Sequence, residues 1–132
     1  MADDVLVCVA DGPLCDVIGL GLALDGHRVW SVADEAGARR VLAGRTPDLL
    51  LLDGTMSLSE ATLAWVDRYA PQTPAVVFMA RGAPVPEPSR PDVGLLIMPF
   101  GRADLLRCIA AVRAAHARDR GMPGRPSPSN DR

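Results

Sequence analysis

The chain contains no lysine; all fourteen of its basic residues are arginine. Any chemistry that needs an ε-amino group, as a nucleophile or as an ammonium laid on an anion, therefore cannot run here. The load of Ala, Gly, Arg and Pro is that of a GC-rich genome, which accounts for the bias without a functional cause. Long apolar runs are also missing, and none approaches the roughly 18 residues of a membrane span. The start, Met-Ala-Asp-Asp, lacks the basic region and apolar core of a signal peptide. A cytoplasmic protein with no membrane contact is expected. Cysteine is scarce: Cys8, Cys15 and Cys108 are odd in number, form no C-x-x-C pair and lie in apolar patterns. They read as reduced core thiols. A net charge of -2 offers no broad basic field, so direct DNA binding is not expected. No nucleophile–base pair and no phosphate-binding loop is evident, which argues against an independent enzyme. Gly19-Leu20-Gly21 superficially matches part of a dinucleotide fingerprint, but it lies inside a helical pattern and not at a strand-to-helix turn.

What is present is organised around Pro47-Asp48-Leu49-Leu50-Leu51-Leu52-Asp53-Gly54-Thr55-Met56. Four consecutive leucines between Pro47 and Gly54 read as a short strand buried on both faces, because a half-exposed strand would alternate. The run ends on a carboxylate, at the end of a parallel strand where open α/β sheets present their chemistry. Similar apolar runs mark strands at Val5–Val9, His27–Val32, Ala75–Ala80 and Val93–Met98. Between them, Leu14, Val17, Ile18, Gly21 and Leu22 follow helical spacing, with Asp11 as the N-cap and Pro13 in the first turn. Leu20 and Leu24 fall off that stripe and point to apolar surface beyond the core. Asp34 caps a second helix, which Gly44 stops. Ser57 with Glu60 forms a capping box ahead of a third, carrying Leu63, Val66 and Tyr69. A last helix carries Leu105, Leu106, Ile109 and Val112 and fades near His116.

One helix is missing from the series. Four prolines between Pro84 and Pro91 remove donors and fix φ, so a stiff loop is expected there. Five β–α steps with one damaged helix predict an α/β fold, a doubly wound parallel sheet of flavodoxin-like order 2-1-3-4-5, with the fourth helix degenerate or missing. The domain spans residues 1–117. Residues 118–132, rich in Pro, Ser, Gly and Arg without periodicity, read as a disordered tail. His27 and His116, far apart in sequence and without evident partners, are expected at the surface.

Taken together, Pro47–Asp53 with Met56, then Thr73-Pro74 through Arg81-Gly82, then Met98-Pro99-Phe100 resemble the receiver domain of bacterial response regulators, over roughly residues 4–116. The resemblance implies that Asp53 stands where such domains accept a phosphoryl group from a partner kinase. It also implies an acidic pair after strand one for Mg²⁺, a Thr or Ser ending strand four, a Lys before the proline after strand five, and an aromatic switch residue in strand five. Here Met79 and Met98 replace the hydroxyl and the ammonium, and Leu95 replaces the aromatic ring. Read without gaps, the acidic pair falls on Val9 and Ala10; a one-residue shift puts Ala10 and Asp11 there and keeps one acid. Mg²⁺ needs oxygen ligands and a thioether supplies none, so no cofactor is expected beyond a weak Mg²⁺ at Asp11 and Asp53. Two methionines beside Asp53 are also expected to desolvate it and weaken it as a nucleophile.

The expected function is that of a stand-alone, atypical receiver domain in signal transduction, acting by protein contact with another signalling protein, a kinase or an output protein. Its regulation is then independent of phosphorylation. A second copy of the chain is the alternative partner, and Leu20 and Leu24 the expected interface. Two other readings stay open: a phosphorelay receiver that accepts phosphate slowly at Asp53, and a small-molecule sensor using a switch-point crevice lined by Val9, Ala10, Met79 and Met98.

Overall fold

A computed structural model describes residues 3–121, with the side chains of 119–121 outside the description. Its elements are β1 (Asp4–Cys8), α1 (Gly12–Leu24), β2 (Arg28–Val32), α2 (Glu35–Gly44), β3 (Leu49–Asp53), α3 (Thr62–Tyr69), β4 (Ala75–Met79), β5 (Val93–Ile97) and α4 (Arg102–Gly121). All strand pairs are parallel and the order is β2-β1-β3-β4-β5. The expected doubly wound sheet is present, and no helix forms between β4 and β5, where the prolines cluster. Among the described residues no helix is long and apolar enough to cross a membrane.

The four leucines of β3 explain how the layers form. Leu49 and Leu51 pack with Val5, Val7, Ile18, Leu22, Ile109 and Val112 beneath α1 and α4. Leu50 and Leu52 point the other way, toward Trp65, Val66 and Ala38 of α2 and α3. The period-2 alternation of a strand thus feeds two cores at once, and burying each leucine contributes roughly 1.5–3 kcal/mol. Gly94 lets β5 approach α4, since a Cβ there would lie 2.9 Å from both Cys108 Sγ and Val112 Cγ1.

Two of the three expected caps are in place. Asp11 accepts from the Leu14 amide at 2.9 Å and Asp34 from the Gly37 amide at 2.8 Å. The Ser57–Glu60 capping box is not. Helix α3 starts at Thr62 after an uncapped Ala61. Ser59 instead donates its amide and hydroxyl to Glu35, at 2.7 and 2.6 Å, and Glu60 pairs with Arg68. A partner 24 residues away outcompetes the local motif. Val17 is a second departure: it was expected on the core stripe of α1 and is 70% exposed, while Cys15 and Gly19 take the buried positions. The helix is rotated relative to the predicted stripe. Helix α4 also runs past His116 to Gly121, so residues 118–121 of the expected tail are helical; the rest of that tail lies outside the described residues.

The histidines are not the unpartnered surface groups predicted. At the N-terminal edge of the sheet, His116 Nδ1 lies 2.8 Å from Asp92, which is buried. Arg90 donates to both oxygens of Asp92 and to the carbonyls of Ala70 and Thr73, tying the end of the proline-rich loop to the sheet. At the other side of that edge, Asp3 lies between Arg113 and His27. Neither pairing could be read from local sequence, because each joins residues distant in the chain.

Candidate functional site

The site is built where the winding reverses, at the C-terminal edge between β1 and β3. Asp53 ends β3 and is 5% exposed. Its Oδ1 accepts both the amide of Thr55 at 2.9 Å and the Thr55 hydroxyl at 2.6 Å. The carboxylate is therefore held by its own loop in an Asx turn. Thr55 was not singled out from sequence, although Asp followed two residues later by a hydroxyl side chain is the local signal for such a turn.

Gly54 makes the turn fit. Its amide donates to Phe78 O at 2.7 Å, and a Cβ would stand 2.6 Å from that oxygen and 3.2 Å from Met79 Sδ. Met79, at the hydroxyl position, thus lies against the backbone next to Asp53 and packs with the α2/α3 layer. Met98, at the ammonium position, packs with the α1/α4 layer, and its bond to Pro99 is cis. The two methionines serve opposite faces of the sheet. Leu95 packs with the α2/α3 layer in the middle of β5.

The three candidates after β1 go to three different environments. Val9 is fully buried in the α1/α4 core, Ala10 is exposed, and Asp11 caps α1. Among the described residues no three His, Cys, Asp or Glu side chains come together as a metal site. Cys8, the last residue of β1, places its Sγ 3.7 Å from the Met56 sulfur and from the Asp34 carbonyl. Burial, followed by the charges of Asp34, Cys15 and Asp53, pushes its thiol up to about 12. It is inert as a thiolate at neutral pH.

No known family profile matches the chain, and no curated protein matches it significantly. Solved structures do. A response regulator receiver protein from Sinorhizobium medicae superposes with a TM-score of 0.69 at 22% identity, covering 87% of this chain and 97% of that one. The receiver domain of a sensor histidine kinase from Pseudomonas aeruginosa, which holds a magnesium ion in its active-site cleft, gives 0.70 at 19%, covering 86% and 99%. This is the receiver-domain fold. NtrX from Brucella abortus, solved with ATP, also matches at 0.69 and 21% identity; 89% of this chain is covered, but it spans only 28% of the length of NtrX.

The receiver fold carries a second surface. On α1, Val17, Leu20 and Leu24 are 70%, 62% and 78% exposed, and Leu106 of α4 is also exposed. With Leu105 and Phe100 they border an open groove of about 370 Å³ between the two helices. Arg102 bridges its rim to Asp25 at 3.0 Å. Leu20 and Leu24 both line this groove, and Val17 joins them.

Proposed function

We propose that this chain is a receiver-like signalling module that works by contact with another protein, without a phosphoryl switch. The observation that carries this reading is the environment of Asp53. Its Oδ1 is engaged by Thr55, and the positions that would neutralise charge on a transferring group are Met79 and Met98. Phosphoryl transfer relies on cations and donors placed around the transferring oxygens, and a thioether neutralises nothing. Mg²⁺ requires a near-octahedral set of oxygens. Asp53 with one oxygen engaged and Asp11 already capping a helix are a poor match to that demand.

The contact face of this reading is the α1/α4 groove, where Val17, Leu20 and Leu24 leave an apolar patch in water. A kinase or output protein in the cytoplasm is the proposed partner, and the module is regulatory, not catalytic. Amide NMR during titration with Mg²⁺ and beryllofluoride tests the first half of the reading. A flat response is expected; shifts centred on Asp53 and Asp11 would instead support slow phosphoryl acceptance. For the second half, wild-type and Leu20→Asp/Leu24→Asp chains are compared as bait in native extract and in sedimentation. A partner, or a second copy, that is lost in the variant is expected; binding unchanged by the variant contradicts the face.

A further inference from the structure

Directly above Met98, the C-terminal edge of the sheet opens into a cleft of about 470 Å³, lined by Leu14, Ala80, Arg81, Met98, Pro99 and Phe100. Its size falls within the range of small-molecule sites, and five of its six lining residues are apolar. The exception is Arg81. Most arginines of the described chain are committed: Arg28, Arg39, Arg68, Arg90, Arg102, Arg107 and Arg113 to carboxylates, and Arg45 to the Trp30 ring. Arg81 makes no ion pair or hydrogen bond among the described residues. It stands exposed on the turn closed by the Ala83 amide and Ala80 carbonyl, at the mouth of an apolar hollow.

We propose that this cleft binds a small amphipathic carboxylate, its aliphatic or aromatic body against Leu14, Met98 and Phe100 and its carboxylate on Arg81. The expected crevice lined by Val9, Ala10 and Met79 is not where the hollow lies. Val9 is buried beneath it and Met79 faces the other layer, leaving Met98 as the shared residue. The apolar lining would exclude a bare phosphate, since such an anion gains one guanidinium and loses its hydration. An apolar amine would meet like charge. The carboxylate with an apolar body satisfies both parts of the wall.

The cleft also has a route to the docking face. Leu14 and Phe100 line both the cleft and the α1/α4 groove, so a ligand that shifts them reshapes the groove. That coupling rests on the interaction reading; the ligand site does not.

The test is amide and methionine-methyl NMR on the full chain, titrated separately with octanoate, octylammonium and inorganic phosphate. The expected result is saturable octanoate binding with shifts at Leu14, Ala80, Arg81, Phe100 and the Met98 methyl. Octylammonium and phosphate should bind at least about fivefold more weakly, the scale of a partly exposed ion pair. Arg81→Gln, an exposed substitution that leaves the fold alone, should remove the preference for octanoate over octylammonium. Ala80→Phe should fill the cleft and abolish binding. Leu20→Asp should leave octanoate binding unchanged, which separates the site from the docking face. Equal binding of both charge types, shifts centred on Val17, Leu20 and Leu24, or no saturation in the millimolar range would each overturn the proposal.

Discussion

The two edges of the sheet handle charge differently. At the C-terminal edge, where α/β sheets gather their chemistry, Asp53 is held by Thr55, Met79 and Met98 pack into opposite layers, and Val9 is buried in the α1/α4 core. The N-terminal edge holds the dense electrostatics: Arg90, Asp92 and His116 on one side, Asp3, Arg113 and His27 on the other. At the lower edge Asp92 is hydrogen-bonded by Arg90 and His116, which fastens the proline-rich loop to the sheet, while Asp3 lies in ion-pair range of Arg113. At the upper edge Asp53 is bound by its own loop, and Met79 and Met98 pack into the two apolar layers.

Breaking the lower edge should cost most. Arg90→Ala leaves Asp92 facing only His116 and strips donors from the Ala70 and Thr73 carbonyls, so urea unfolding should show a loss of roughly 3–5 kcal/mol. At the upper edge, Gly54→Ala drives a Cβ against the Phe78 carbonyl and should cost about 1–3 kcal/mol in the same assay. Thr55→Val removes the hydroxyl bond to Asp53 but keeps the amide bond, and should cost about 1 kcal/mol. A loss at Thr55 as large as at Arg90 would erase the contrast between the edges.

Acid sharpens the same contrast. Burial alone would raise the Asp92 carboxyl, but hydrogen bonds from Arg90 and His116 and their charges outweigh it, so the group sits below the usual carboxylate value. A carboxyl depressed in the folded state contributes its stability fully above its unfolded value, near 4, and loses it as pH falls through the folded value. Wild type should therefore lose stability below about pH 4. Asp92→Asn should flatten that limb; an unchanged limb would mean that other carboxylates set it. The smallest expected effect is chemical. At pH 8, Cys8 should resist iodoacetamide in the native state while the half-buried Cys108 reacts slowly, as peptide mapping would show.

The sheet was legible because its signals are local. Four leucines between Pro47 and Gly54 require a strand buried on both faces, and Asp11 and Asp34 are caps that act within three residues. The proline cluster likewise removes the fourth helix by its own stereochemistry. What escaped the sequence depended on distant partners. Glu35 took Ser59 from its capping box, Asp92 found His116 across the loop, and the rotation of α1 exposed Val17. At the site, the hold of Thr55 on Asp53 is carried by a two-residue turn whose hydroxyl contact a strand pattern does not encode. The layer to which each methionine turns depends on packing that no local pattern encodes.

The reading proposed above requires that Asp53 does not accept a phosphoryl group. Intact-mass measurement after incubation with Mg²⁺ and a small phosphodonor tests it most directly. An unchanged mass is predicted for wild type, identical to that of Asp53→Asn. Gain of one phosphoryl group, present in wild type and absent in Asp53→Asn, would contradict it.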